Sequence, residues 1–375
     1  MIRVAVLGAN GFIGARLTEM FILNGLAEVR PIVRNYSSLA RLSRFDLDAR
    51  VADAFDEKAV EPALQGCDVL VHAVAGDINT VLGTLTPVYR AAEKAGVKRL
   101  VYLSSASVHG QAPQAGTDES SELSDRQALP YNNAKVQAER TLAQLRGQGD
   151  VEVVILRPGI VFGPRSSWVT RFAEDLLDGR AALLNRGQGI FNSIYVDNLV
   201  HAIYLAARRE RADREVFLVG DRESVRWADL YQPIAEALGV DLADLPEGVV
   251  QEQPGHQQPS WWDRLEPVRV SKPVQGLLSI FPHRVRLAAY RAYETLLEPV
   301  ADLSPLASQA AKPVLSREMA MLYACQHKLP YEKARRVLGY QPPVAFLEAM
   351  QRTIAWLAFA GYPVKEGSIE TSWQR

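Results

Sequence analysis

Five short, almost uninterrupted apolar runs, Val4–Leu7, Val29–Val33, Val69–Val74, Leu100–Ser104 and Val151–Leu156, punctuate the first part of the chain. Between them lie stretches of helical periodicity at Ile13–Leu23, Glu57–Gln65, Thr80–Ala95 and Tyr131–Arg146. A strand that does not alternate apolar with polar residues must be buried on both faces. Helices between such strands cover those faces, and right-handed crossovers wind the sheet in two directions. The expected class is therefore α/β, a doubly wound parallel sheet whose ligand crevice opens at the C-terminal ends of its strands.

After Arg157 the spacing loosens. Helices are expected at Trp168–Leu177, Val196–Arg208, Trp227–Leu238, Glu332–Leu338 and Val344–Ala358, with a strand at Val216–Val219. Gln251–Pro259 reads as a linker, and Trp261 to about Leu315 as mostly helical and mildly basic. The expected organisation is a cofactor-binding domain over residues 1–160 and a smaller C-terminal α/β substrate region over 161–375. Some of its segments, such as 190–210, return to the first domain, and extra helices form an insertion at about 255–315.

With 375 residues, one large core or a large and a small domain can form. Net charge is −1 with both signs interspersed, which leaves no electrostatic footprint for nucleic acid. Two cysteines and six scattered histidines exclude a disulfide framework and offer no metal-ligand spacing. No uncharged apolar stretch is long enough to span a bilayer, and glycines interrupt the apolar N-terminus, so a cytoplasmic enzyme is the default expectation.

The first strand runs directly into Gly8-Ala-Asn10-Gly11-Phe12-Ile13-Gly14 and then a helix. Glycines there let the backbone turn sharply and approach a pyrophosphate, and the helix N-terminus offers unpaired amides. The alternative is a tight turn without ligand. An acid at the end of the second strand would suit the ribose of NAD, but that strand ends Ile32-Val33-Arg34. Arg34 favours the 2′-phosphate of NADP over NAD, unless it stacks on adenine or faces water. Asp53 is either an adenine ligand or a helix cap.

Residues 131–135 read YNNAK. On a helix, Tyr131 and Lys135 share a face one turn apart. A phenol ionises near pH 10, too high for a base at neutrality. An ammonium ~4 Å away at an effective dielectric of ~20 contributes roughly 4 kcal/mol, about a thousandfold in acidity. The pair then suits proton exchange with a hydroxyl or carbonyl oxygen.

Together these features resemble the extended short-chain dehydrogenase/reductases, the NAD-dependent epimerase/dehydratase family, whose sheet is of the Rossmann type. The matching motifs run in the family's order: the glycine loop, Cys67–Ala75, Ser104-Ser-Ala-Ser-Val-His-Gly110, YNNAK, Arg157-Pro-Gly-Ile-Val-Phe-Gly-Pro164, Ile194-Tyr-Val-Asp-Asn198 and Lys333–Tyr340. The resemblance covers nearly the whole chain apart from about 251–316. It implies Ser105, Tyr131 and Lys135 as catalytic residues, with Ser105 hydrogen-bonding the reacting oxygen and Lys135 also holding the nicotinamide ribose. It implies Gly8, Asn10, Gly11, Phe12, Ile13, Gly14, Arg34, Asp53, Ala54, Ala73, Val74, Ala75, Ser104, Pro158 and Gly159 around the cofactor. Ser107, His109 and Phe191 are substrate-site candidates. His72 and Cys67 read as core, and Asp197 as a cap or structural link.

The Ser104–Gly110 motif carries no carboxylate, which disfavours sugar dehydration. Phe191 stands near the place where nucleotide-sugar epimerases of the family carry a diphosphate-binding arginine, although Arg165, Arg171, Arg180 or Arg186 offer substitutes. The expected activity is hydride transfer between NADP, or NAD, and a secondary alcohol or ketone carbon; the alternative is a nucleotide-sugar epimerase. No metal is expected. The expected partner is a small molecule bearing a hydroxyl or carbonyl. The segment 261–315 is a substrate lid, a membrane-surface contact or extra packing, and the resemblance implies a homodimer.

Overall fold

The computed structural model describes residues 1–250 and 313–365. The Gln251–Pro259 linker and the helical stretch expected from Trp261 lie outside these residues, except for its end, where Val314 and Leu315 are extended.

A seven-stranded sheet organises the fold. Its strands are β1 (Arg3–Leu7), β2 (Glu28–Val33), β3 (Arg50–Val51), β4 (Val69–His72), β5 (Arg99–Leu103), β6 (Glu152–Pro158) and, later in the chain, a strand at Val216–Val219. Every pair is parallel, and the order across the sheet is Val216–Val219, β6, β5, β4, β1, β2, β3. The order reverses between β1 and β4, which opens a crevice at their C-terminal ends.

Alternate residues of these strands enter two cores. Val4, Val6, Val71, Val101 and Leu156 pack with helix α1 (Phe12–Leu23) on one face. Ala5, Leu7, Leu70, Leu100 and Ile155 pack with α2 (Glu57–Leu64) and its neighbours on the other. Two-sided burial is the reason these runs contain so few polar residues.

The helix expected over Thr80–Ala95 is two, α3 (Ile78–Gly83) and α4 (Leu85–Lys94). Pro87 has no amide to offer the Gly83 carbonyl and crowds it, so the ladder breaks at buried Thr84. Helix α5 (Pro130–Gln148) starts on a proline at its first position, where no intrahelical amide is needed.

The later chain builds a smaller layer around a third core. It comprises β7 (Ile160–Phe162), α6 (Ser167–Leu177), β8 (Ile190–Phe191), β9 (Ser193–Tyr195), α7 (Val196–Arg208), β10 (the sheet strand Val216–Val219), β11 (Val225–Arg226) and α8 (Trp227–Leu238). After residue 313 come α9 (Arg317–Tyr323), α10 (Glu332–Leu338) and α11 (Phe346–Phe359). Trp227 is fully buried among Phe191, Tyr231 and Tyr323. The short strands β7, β8, β9 and β11 and helix α9 went unread in the sequence because two- and three-residue strands have no legible period.

Asp197 links the two parts. It is buried, and its carboxylate takes Arg16 of α1 at 2.6 and 2.8 Å and Arg352 of α11 at 3.0 Å. The helix α7 is preceded by Tyr195, so Asp197 is a structural link and not its cap.

Candidate active site

The glycine loop joins β1 to α1 as expected. Gly8 has φ +88°, a conformation that costs a residue with a side chain, and a Cβ there would lie 2.8 Å from the Ala73 carbonyl oxygen. A Cβ on Gly14 would lie 2.3 Å from the Gly8 carbonyl oxygen, so α1 packs directly on the turn. The first amides of α1 have no intrahelical acceptor and carry the partial positive charge of the helix N-terminus. Ala73, Val74 and Ala75, beyond β4, form the other side of the loop's cradle and line the same cleft as Phe12 and Ile13. This backbone cradle fits a dinucleotide pyrophosphate.

Arg34 stands just beyond the end of β2, exposed, with no ion-pair partner among the described residues. Asp53 is exposed and receives the Phe55 amide at 3.1 Å. The cap of α2 is Asp56, which accepts from Lys58 and Ala59. Ala54 is buried beside Asp53.

A cleft of about 510 Å³ opens at the C-terminal ends of β4, β5 and β6. It gathers Ser104, Ser105, Ser107, Tyr131, Lys135, Pro158 and Gly159 from distant parts of the chain. Ser105 accepts the backbone amide of Ser107 at 3.2 Å, which leaves its hydroxyl proton free to donate. The Ser107 hydroxyl oxygen is buried without a partner among the described residues.

Lys135 is buried at the base of the cleft, and its ammonium donates to the Leu103 carbonyl at 2.8 Å and the Tyr102 hydroxyl at 3.2 Å. Burial lowers it to about 8, against the opposing pull of Glu139. Its Nζ lies 5.8 Å from the centre of the Tyr131 ring. Tyr131 is 43% exposed and lines the cleft. Desolvation, then the Glu318 carboxylate, push that phenol above its ordinary range. The protein's own groups therefore hold Tyr131 protonated, opposite to the downward shift expected from Lys135 alone.

Beneath the trio lies a charge network. Glu139, one turn beyond Lys135 on α5, binds Arg157 of β6 at 2.6, 3.0 and 3.2 Å and also accepts from Ser104. Both charges are almost fully buried. The spacing of Glu139 from Lys135 was visible in the sequence, but its partner is not local.

Two substrate-site candidates lie elsewhere. His109 does not line the cleft: its ring meets Arg157 at 3.0 Å, and burial, then the guanidinium, lower it to about 4. Phe191 is buried against Phe162 and Trp227 because β8 turns it into the third core. His72 is core as expected, with one ring nitrogen 3.2 Å from Thr84 and the other without a partner among the described residues.

Residues not singled out in the sequence complete the cleft: Gln111, Trp168, Ile190, Asn192, Glu318, Leu322 and Leu329. Asn192 fastens the distant segment by receiving the Leu329 amide at 2.7 Å and donating to the His327 carbonyl at 3.0 Å. None of Arg165, Arg171, Arg180 and Arg186 lines the cleft.

A sequence model of the NAD dependent epimerase/dehydratase family matches residues 4–220. The chain belongs to this family. Its seven-stranded parallel sheet is of the Rossmann type. The chain is 25% identical over 382 residues to a 3beta-hydroxysteroid-dehydrogenase/decarboxylase of Arabidopsis thaliana, covering 93% of this chain and 78% of that protein. It is 27% identical to a UDP-glucose 4-epimerase of Vibrio cholerae, over 65% of this chain and 78% of that one. The solved dTDP-glucose 4,6-dehydratase of Streptomyces venezuelae with NAD bound shares the fold at TM-score 0.67 and 19% identity, covering 96% of this chain and 97% of its own. Among the described residues no helix is long and apolar enough to cross a membrane, and no cluster of metal-ligating residues is present.

Proposed function

We propose that this protein is an NAD(P)-dependent oxidoreductase acting at a secondary alcohol or ketone carbon of a largely apolar small molecule. Residues 1–160 carry the cofactor and the Tyr131–Lys135 pair, and the later chain supplies most of the substrate wall. The cradle at Gly8–Gly14 and Ala73–Ala75 holds the pyrophosphate, and Arg34 the 2′-phosphate of NADP. When bound, the cofactor supplies or accepts the hydride. Tyr131 donates its proton to the carbonyl oxygen in reduction and recovers it in oxidation. Ser105 hydrogen-bonds that same oxygen through its hydroxyl and keeps its proton. Lys135, whose Nζ lies 5.8 Å from the centre of the Tyr131 ring, supplies a positive charge that steadies the phenolate.

The observation that carries this reading is the character of the cleft wall. Trp168, Ile190, Leu322 and Leu329 line the cleft with the neutral polar residues Gln111, Ser166, Ser167 and Asn192, and no arginine lines it among the described residues. A nucleotide diphosphate would lack the cationic partners its charge requires. The Arabidopsis steroid dehydrogenase, matched across 93% of the chain, supports the same choice. The Vibrio epimerase relationship supports the alternative, a sugar-nucleotide epimerase that oxidises its substrate transiently.

The test is to follow nicotinamide absorbance with panels of cyclic ketones and sterols, in wild type, Tyr131→Phe and Ser105→Ala. Wild type should consume free reduced cofactor, Tyr131→Phe should lose nearly all turnover, and Ser105→Ala should lose on the order of a hundredfold. Undiminished turnover in Tyr131→Phe would refute the assignment. Tightly retained cofactor with no net redox would move the reading to the epimerase.

A further inference from the structure

Two charged side chains line the cleft among the described residues, Lys135 and Glu318. The Lys135 ammonium is already committed to Leu103 and Tyr102. Glu318 is not accounted for by the hydride chemistry. It comes from α9, more than 180 residues beyond Tyr131 in the chain, yet it borders the same cleft.

Its placement is built. Ser316 caps α9 by accepting the Met319 amide, and Glu318 falls in the first turn, where the helix dipole favours a negative charge. Leu322, one turn on, lines the cleft from the same face of α9. The helix is held from behind: a Cβ on Gly189 would lie 2.0 Å from the Tyr323 carbonyl oxygen, and Tyr323 packs on Trp227. Gln111, on the loop after β5, donates to one carboxylate oxygen of Glu318 at 3.1 Å. Glu318 is exposed, and its other oxygen takes no hydrogen bond from the described residues. An acceptor with one oxygen anchored and one open, and the only carboxylate lining the cleft among the described residues, rewards a hydrogen-bond donor and repels an anion.

We propose that Glu318 is a specificity-determining residue that receives a second donor group of the substrate, a hydroxyl or an ammonium remote from the reacting carbon, and turns away anionic substrates. This rests on the oxidoreductase reading and narrows its substrate class.

The test uses 1,3- and 1,4-substituted cyclohexanols and cyclohexanones that bear a methyl, hydroxyl, ammonium or carboxylate group. Turnover is read by nicotinamide absorbance. Binding to the protein–cofactor complex is read separately by quenching of tryptophan fluorescence, since Trp168 lines the cleft. An exposed charge pair has a modest effect, so wild type should prefer the ammonium over the methyl probe about three- to fivefold and the carboxylate least. Glu318→Gln should erase the preference for charge and keep that for hydroxyl, and Glu318→Lys should reverse the ammonium-to-carboxylate order. A purely structural role would scale all probes together and leave their ratios unchanged. Ratios that are flat in wild type, or unmoved in both variants, overturn the proposal. If no probe is turned over while the binding ratios behave as stated, the specificity role stands and the oxidoreductase reading is what fails.

Discussion

Replacing Glu139 with glutamine keeps the shape of the side chain and removes its charge. In the native protein that carboxylate holds the Arg157 guanidinium with contacts at 2.6, 3.0 and 3.2 Å and accepts from Ser104. Arg157 is 3% exposed, so no water replaces the lost partner, and neutral His109 is the remaining side chain on its other edge. Breaking a buried pair from one side costs about 3–5 kcal/mol, because the surviving charge stays desolvated. At about 1.3 °C per kcal/mol for a chain of 375 residues, the melting temperature should fall by about 4–6 °C. Glu139→Leu combined with Arg157→Met should recover most of the loss, since both desolvation costs then vanish together. Urea unfolding followed by circular dichroism measures both effects. A loss below about 1 kcal/mol in Glu139→Gln, or a double variant no better than the single ones, would show that the pair is not what secures this corner. The same substitution removes the group that supports the Lys135 ammonium, so Lys135 should move further below about 8, and the alkaline limb of the activity profile should shift down with it.

Lys135 itself makes stability depend on pH. The unfolded lysine keeps its proton to about pH 10.5 and the folded one only to about 8, so within that window the unfolded chain binds the extra proton. Raising the pH from about 8 to 10.5 should therefore stabilise the fold through this group by roughly 3 kcal/mol, with the full burden present below 8; subtracting the curve of Lys135→Met isolates it. Arg34→Ala should weaken NADP binding about tenfold and leave NAD binding nearly unchanged, as read by calorimetry; an unmoved ratio would place Arg34 away from the 2′-phosphate. Gly14→Ala sets a Cβ 2.3 Å from the Gly8 carbonyl oxygen, so the loop must shift, and binding of either cofactor should fall at least tenfold. Asp197→Asn leaves Arg16 and Arg352 facing a neutral buried amide and should cost about 2–4 kcal/mol in urea unfolding.

What was legible from the chain alone is local or periodic. The apolar runs are continuous because both sheet faces are covered, and that pattern specifies a parallel sheet before any contact is known. The glycine loop is legible because only glycine tolerates φ +88° at Gly8 and the close packing at Gly14. Tyr131 and Lys135 lie within one turn of α5, so their shared face follows from helix geometry. Arg34 sits where β2 ends, a position that strand length sets. Even here neighbours intervened: Pro87 broke a helix that periodicity had joined.

What tertiary structure decided depends on groups far apart in the chain meeting in one place. Phe191 and His109 bear the residue types of a substrate wall, but β8 turns one into an aromatic core and buried Arg157 claims the other. The direction of the Tyr131 shift came from desolvation and from Glu318, neither of which its own five-residue motif contains. No local pattern pairs Gln111 with Glu318 or Glu139 with Arg157. Each pairing is set by the sheet order and by the return of the chain after residue 313, and charges take their energies from distance and burial rather than from spacing along the sequence.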